Sequence, residues 1–330
     1  MRTLLILACS SALALAQMPR FVHAQVQTQP AASDLAAQMR AAEQFLSPRW
    51  WGYAVPATDA HMGDCGIAYL EGDRRDQPQA DSGQQPLLVV LYRLGQGKLD
   101  QLRTLSPTCQ VDAGGLPVIW LSGVPARQSV ALLAELVHTD ASFADRATAA
   151  IALTVGNAAE QAIESFTAAS EPEALRERAA FWLGVERGHA GFLALQRLAR
   201  TDASQPLRRR VTFALSQSHD PGALAELIRM AKSDASPNVR GQALFWLAQK
   251  AGRQAEAAIT DAVRNDPDTA VKKRAVFGLS QLPPSQGVPL LIQVAETNPN
   301  PAVRKQAMFW LGQSRDPCAL DFFRRVLEKP

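Results

Sequence analysis

The most constraining feature of this sequence is an eleven-residue pattern that returns at a fixed interval. It is clearest at residues 303–313, which read VRKQAMFWLGQ. Earlier copies of the pattern begin at Leu175, Leu207, Val239 and Val271, and a degenerate copy begins at Phe143. Each step is 32 residues with no insertion. Such a period predicts stacked structural repeats, because a unit of this length cannot bury its apolar surface alone.

Each unit has the pattern of two amphipathic helices. The first carries apolar residues at offsets 0, 4 and 8 from its start, as in Val239, Ala243 and Leu247, and these share one face of a helix. A break rich in Gly, Pro or Asp comes next, and a second stripe begins at residues such as Leu224 and Leu227. The pattern predicts a mostly α protein in which residues 118–330 form an α-solenoid of about six two-helix repeats.

The turns between the units point to a known family. Residues 234–240, DASPNVR, precede an Ala- and Leu-rich helix, and this segment resembles HEAT repeats, particularly the short HEAT-like type also found in phycobilin lyases. The resemblance implies a ladder in which an acidic residue of each turn pairs with a basic residue at the start of the next helix. The matching pairs are Asp202 with Arg208, Asp234 with Arg240, Asp266 with Lys272, and Asn298 with Arg304. Because Asn298 is not acidic, we expect a weaker last rung.

Aromatic residues recur at two offsets of the first helix. Offset 6 holds Phe181, Phe213, Phe245, Phe277 and Phe309, whereas offset 7 alternates between large and small residues: Trp182, Ala214, Trp246, Gly278 and Trp310. Large residues opposite small ones predict interdigitated core packing between neighbouring repeats. The alternative is an aromatic ladder exposed for ligand binding.

The N-terminus has the features of a secretory signal peptide over residues 1–24. Arg2 precedes an apolar run at residues 4–16, and small residues precede two cleavage points, after Ala16 and after Ala24. The second point gives a more usual signal length. No other stretch is long and apolar enough to span a membrane, so we expect a periplasmic or secreted mature chain without a transmembrane segment.

The region between the signal peptide and the repeats differs from both in residue composition and pattern. Residues 25–47 are predicted to be a linker that becomes a short helix. Residues 48–117 contain short runs of β-branched and aromatic residues and are predicted to form a small sheet of three or four strands. In an oxidising compartment Cys65 and Cys109 are the natural disulfide pair, which leaves Cys318 free in the last repeat.

Known catalytic and metal-binding motifs are absent from the sequence. No H-E-x-x-H, G-x-S-x-G or zinc-type Cys/His spacing occurs. A net charge of +3 on 330 residues also argues against a dedicated nucleic-acid-binding protein. We therefore expect no catalytic, cofactor or metal site.

These observations favour a non-catalytic scaffold of the bacterial cell envelope. The expected partner is an unidentified protein or peptide, bound by polar residues of the second helices: Arg197, Glu226, Arg229, Asp261, Arg264, Gln293, Asp321 and Arg325. Two alternatives remain. One is an enzyme or cofactor-handling protein, as the resemblance to phycobilin lyases implies, and the other is a regulatory subunit of a membrane signalling complex.

Overall fold

A computed structural model describes residues 18–58, 66–71, 86–250 and 253–328. The chain divides into two compact units, Met1–Glu171 and Pro172–Pro330. We call the first of them the N-terminal unit and the second the repeat unit.

Two sheets form the centre of the N-terminal unit. Their strands are β1 (Arg20–Val22), β2 (Gln25–Pro30), β3 (Arg49–Pro56), β4 (Ile67–Tyr69), β5 (Leu87–Gly95), β6 (Lys98–Leu105), β7 (Gln110–Asp112) and β8 (Pro117–Ser122). The larger sheet has the order β2-β8-β3-β5-β6, and the smaller has the order β1-β7-β4. The β3-β5 and β5-β6 pairs are antiparallel, whereas β8 runs parallel to both β2 and β3.

The two sheets share an apolar core. Trp50, Leu91 and Trp120 of the larger sheet are buried in one cluster with Val111 of the smaller sheet. Each sheet buries apolar residues against the other, so neither small sheet has to be stable alone. Gly52 lies where a Cβ atom would collide with the Leu91 side chain, so any larger residue at this strand position would force Leu91 to move.

Four helices accompany the sheets: α1 (Leu35–Ala42), α2 (Ala126–Thr139), α3 (Ala144–Leu153) and α4 (Asn157–Ser165). Helix α2 is joined to the larger sheet by a buried hydrogen-bond chain. The hydroxyl of Tyr53 lies 2.8 Å from the hydroxyl of Tyr92 and 2.9 Å from that of Ser129 on α2. Burial raises the pKa of Tyr53 to about 12, so the chain contains a neutral phenol at physiological pH.

The start of the helical region differs from the prediction. Helical structure was expected from Val118, but residues Pro117–Ser122 form strand β8, which lies between β2 and β3 in the larger sheet. Val118, Trp120 and Leu121 are all buried, so the strand is covered on both faces and has no alternation to distinguish it from a helix. The predicted linker at residues 25–47 likewise begins with strand β2, and the larger sheet has five strands rather than three or four.

Two predictions concern residues that the structure does not describe. Cys109 is fully buried in the sheet cluster, but Cys65 lies outside the described residues, so the disulfide stays a prediction. Residues 1–17 of the predicted signal peptide also lie outside them. Among the residues that are described, no helix has the length and apolar content needed to cross a membrane.

The repeat unit consists of alternating first and second helices, as the 32-residue period predicted. The first helices are α5 (Glu173–Glu186), α7 (Gln205–Gln217), α9 (Pro237–Lys250), α11 (Thr269–Ser280) and α13 (Pro301–Gln313). The second helices are α6 (Gly188–Thr201), α8 (Ala223–Ser233), α10 (Arg253–Asn265), α12 (Pro284–Thr297) and α14 (Pro317–Leu327). Val239, Ala243 and Leu247 are fully buried, which confirms the apolar stripe of the first helices.

The ladder between repeats has a different pairing from the predicted one. The guanidinium of Arg240 donates to both carboxylate oxygens of Asp266, 26 residues later, at 2.7 and 2.9 Å, and Arg208 pairs in the same way with Asp234. The acidic residue of its own turn offers each arginine a backbone carbonyl instead: Arg240 Nη1 lies 2.9 Å from the oxygen of Asp234. Each arginine therefore joins two successive turns, because stacking places the next carboxylate beside the guanidinium fork.

The last rungs are not ion pairs. Lys272 was matched with Asp266, but its ammonium donates to the carbonyl of Arg264 at 2.9 Å. The ladder spacing of 26 residues would pair Lys272 with residue 298, which is Asn298. At this rung lysine therefore replaces the arginine, and asparagine replaces the aspartate. Arg304 donates to the backbone oxygen of Asn298 at 2.8 Å. Lys272 and Arg304 thus donate to backbone carbonyls and not to carboxylates, in agreement with the weaker rung that was expected at Asn298.

Candidate functional site

The first helices expose a continuous row of aromatic rings, which we call the aromatic row. Its members are Trp182, Phe181, Phe213, Trp246, Phe245, Phe277, Trp310 and Phe309. Phe309 is 53% exposed, and the other seven side chains are partly buried. The row therefore lies at the edge of the repeat core, with part of each ring accessible to solvent.

The row has a period of two repeats. Phe181 and Phe213 stack with ring centroids 5.8 Å apart and an interplanar angle of 12°, and the next stacked pair, Phe245 and Phe277, lies at 6.3 Å and 5°. A tilted contact of 4.8 Å between Phe213 and Trp246 joins the two stacked pairs. The alternation of large and small residues at offset 7 thus corresponds to an alternation of ring geometry along the surface.

The predicted interdigitation of Trp with Ala or Gly is wrong. The Trp246 ring packs on Phe213 and Phe245, and the space beside Gly278 is occupied by Ile259, whose Cγ2 would lie 3.3 Å from an added Cβ. The small residues allow the close approach of neighbouring elements and do not receive the tryptophans. The rings instead contact one another along the row and stay partly accessible, and an aromatic ladder that binds a ligand stays a prediction.

A groove of about 380 Å³ opens beside the middle of the row. Its lining is Glu177, Pro206, Arg209, Arg210, Phe213, Gln242 and Trp246. The guanidinium carbon of Arg210 lies 5.5 Å from the Phe181 centroid and 5.1 Å from the Phe213 centroid, within the range of cation–π attraction. Arg210 therefore contacts the rings of two successive first helices at one side of the groove.

The charges that flank the row are mostly positive. Six basic residues occupy offsets 2 and 3 of the first helices, namely Arg178, Arg209, Arg210, Lys273, Arg274 and Lys305, against one acid, Glu177. Residues 172–330 carry 23 Lys and Arg against 15 Asp and Glu, or +8, whereas residues 1–171 carry 11 against 16, or −5. The modest charge of the whole chain thus conceals a basic repeat unit.

The residues predicted to bind a partner on the second helices form a different surface. Glu226 is wrongly placed in that set, because it is only 3% exposed and accepts hydrogen bonds from Arg200 at 2.7 Å and from Arg229 at 2.6 Å. Burial alone would raise the pKa of Glu226, but the bonds from these arginines outweigh it and hold the pKa below its ordinary value. Glu226 is therefore a structural anchor.

Most of the other members of the set contact each other or their neighbours. Asp261 accepts from Asn265 at 2.7 Å, Arg264 reaches Gln293 at 3.4 Å, and Asp321 pairs with Arg324 at 3.1 Å. Arg197 and Arg325 are exposed. A smaller groove of about 240 Å³ between α10 and α12 includes Arg264 and Gln293, so a second concave surface exists on this side.

The described residues offer little for catalysis or metal binding. Within that part of the chain no group of three or more His, Cys, Asp or Glu side chains converges. His189 Nδ1 lies 2.7 Å from a carboxylate oxygen of Asp220, where hydrogen bonds from His189 and Gly222 outweigh burial and lower the pKa of Asp220. This pair is a surface contact that joins the starts of two second helices.

Comparisons with known proteins agree with the fold. A model of HEAT repeats matches residues 159–248 and 256–330. Among curated protein sequences, none matches this chain. Three of the solved structures that are similar to it are described here. The complex of CpcE and CpcF of phycocyanin lyase from Nostoc sp. PCC7120 has 17% identity and a TM-score of 0.37, over 46% of this chain and 97% of that one.

The second similar structure is human deoxyhypusine hydroxylase in complex with glycerol, with 15% identity and a TM-score of 0.31 over 62% of this chain and 91% of that one. The third is a structure of Kap95p with RanGDP, with 17% identity and a TM-score of 0.39 over 62% of this chain and 31% of that one.

Proposed function

We propose that this chain, which belongs to the HEAT-repeat family, is a non-catalytic scaffold of the bacterial cell envelope that binds a protein or peptide partner on its repeat surface. The observation that carries the proposal is the aromatic row. Exposed apolar surface that continues across several elements is uncommon on a soluble monomer and is typical of interaction sites. The apolar stripe of each first helix is buried separately from these rings, so the row adds a second apolar strip that solvent still reaches.

The geometry of the row suits a polymer better than a small molecule. The rings extend over all five first helices, and the groove beside Phe213 and Trp246 is lined by residues of three of them, α5, α7 and α9. A small substrate is usually enclosed in a concave site with convergent polar groups. An extended surface of this kind instead supports the binding of a chain or of a protein face.

The compartment is part of the proposal and rests on the N-terminal sequence. A single early cation, an apolar run at residues 4–16 and small residues before two cleavage points favour export. Fractionation of cells that produce a C-terminally tagged chain tests this directly. We expect the protein in the osmotic-shock or envelope fraction, and recovery in the cytoplasmic fraction would contradict it.

Quantitative crosslinking and capture of the tagged chain from its native envelope tests the scaffold. We expect one protein at a constant ratio to the bait. A captured small molecule without any protein partner would overturn the scaffold in favour of a cofactor-handling role.

A further inference from the structure

We propose that the partner presents an acidic, extended polypeptide segment that lies along the aromatic row across α5, α7, α9 and α11 and fills the groove lined by the first three of these helices. This inference rests on the proposed function and names its site and ligand class. It also moves the binding surface from the second helices, where the sequence placed it, to the first helices.

Charge complementarity indicates the sign of the partner's charge. Within the described part of the chain, Arg209, Lys273 and Lys305 are exposed and none lies within 4.0 Å of a carboxylate oxygen. On the second-helix side, Arg200 and Arg229 both pair with Glu226, and the exposed cations Arg264 and Arg325 lie apart from any comparable row of aromatic rings. The first helices therefore offer positive charge that the fold leaves uncompensated, and an acidic partner would lower the electrostatic free energy of the complex most.

The rings specify the apolar side chains of the segment. The accessible parts of the Phe and Trp rings can pack against proline or another aromatic ring. Neighbouring helices pack at 8–10 Å, and a polyproline II segment advances by about 9 Å in three residues, so a proline-containing chain repeats in step with the first helices. One residue in three would thus meet a ring, with acidic residues between.

The polar lining favours a peptide over other anionic chains. The Gln242 amide can both donate and accept, which matches the alternating N–H and C=O groups of a peptide backbone. Glu177 in the same lining is unfavourable for phosphodiester groups but can accept a backbone N–H. A nucleic acid or a phosphate-rich glycan is therefore the less suitable ligand.

Fluorescence anisotropy with defined probes on the full chain tests the inference. The main probe is a fluorescein-labelled peptide of Glu, Pro and Phe of about twelve residues, enough for four repeats at three residues each. Matched probes replace Glu by Lys, or Pro and Phe by Ser, and an oligothymidylate represents nucleic acid. We expect the acidic aromatic peptide to bind most tightly and the lysine peptide not to bind.

Two double variants with the same change of net charge show which of the two surfaces binds the peptide. The first carries Arg209→Glu with Lys273→Glu on the first helices, and the control carries Arg264→Glu with Arg325→Glu on the second helices. We expect the first to weaken binding by about tenfold or more and the control to change it by less than about twofold. Circular dichroism melts verify that both remain folded.

Equal weakening by both variants, or tighter binding of oligothymidylate than of the acidic peptide, overturns the inference. So does a lack of binding by every peptide probe. If envelope capture then recovers a partner that is lost only with the second-helix variant, the scaffold stands and only its site and ligand class fail. If capture recovers no protein at all, the scaffold itself fails.

Discussion

The Arg240–Asp266 rung gives the sharpest prediction about stability. Both side chains are almost fully enclosed, with exposures of 9% and 4%, and the carboxylate also accepts the backbone N–H of Asp268 at 2.8 Å. Asp266→Ala removes both functions and leaves a buried guanidinium without its counter-ion. Removing one partner of a buried ion pair typically costs about 3–5 kcal/mol.

The remaining contacts of Arg240 place this variant at the lower end of the range. Nη1 keeps its hydrogen bond to the Asp234 carbonyl, so part of the guanidinium stays solvated by protein. We expect the free energy of unfolding to fall by about 3 kcal/mol, measured by urea denaturation with circular dichroism. Hydrogen exchange should show the largest loss of protection in α9, α10 and α11, because each repeat is stabilised by its neighbours.

Two controls isolate the buried charge as the cause. Asp261→Ala removes a carboxylate of the same unit whose side chain is 42% exposed and should cost less than about 1 kcal/mol. In an Arg240→Met background, Asp266→Ala should also cost only about 1 kcal/mol, because no guanidinium is left unpaired. A loss below about 1 kcal/mol for Asp266→Ala alone, or an equal loss in both backgrounds, would refute the reasoning.

Other consequences of the structure are open to similar tests. Because the folded-state pKa of Glu226 is lowered, its contribution to stability is complete above the unfolded value near 4.5 and is lost as the pH falls below it; Glu226→Gln should flatten the acid limb of a stability–pH profile, and an unchanged limb would contradict this. Trp246→Ala removes a partly buried ring and should cost about 2–3 kcal/mol in a urea titration, less than the 3–5 kcal/mol of a fully buried aromatic. Gly52→Ala should cost about 1–3 kcal/mol, because its Cβ would collide with Leu91, whereas the same change at Gly312, where the nearest atom lies 4.0 Å away, should not destabilise. The sequence favours cleavage after Ala24, but that cut would remove strand β1, which pairs with β7; the structure therefore leads us to predict processing after Ala16 instead, and an intact mass that begins at Gln25 would refute this.

The repeat unit is predictable from the sequence because its information is local. A stripe at offsets 0, 4 and 8 specifies which side of each first helix is buried, whatever the neighbouring repeat does. Strand β8 was not predictable in the same way. Val118–Leu121 is an apolar run whose two faces are covered by residues distant in sequence, and periodicity does not separate such a strand from a helix.

The exposed aromatic row left a signal in the sequence that the interdigitation hypothesis missed. At 100° per residue, offset 6 lies about 160° from the centre of the core stripe, on the outer side of the helix. Phe213 and Phe245 therefore had to face away from the core. The basic residues at offset 2, such as Arg209 and Lys273, lie one turn earlier on the same side, so angular position predicts the charged flank as well.

The partner of each ladder arginine depends on tertiary structure. Arg208 precedes Asp234 by 26 residues, and only the stacking of successive repeats brings this carboxylate closer than that of Asp202. The family resemblance identifies the residues of the ladder, but which turn supplies the carboxylate for each arginine depends on how the repeats stack.

A site-specific photocrosslinker introduced in the native envelope tests the central claim most directly. The reactive residue replaces Gln242 in the first-helix groove in one strain and Gln293 in the second-helix groove in another. We predict one protein adduct at Gln242 that disappears when Arg209→Glu and Lys273→Glu are added. An adduct that forms at Gln293 alone, or one at Gln242 that persists unchanged in the charge-reversed chain, would contradict the claim.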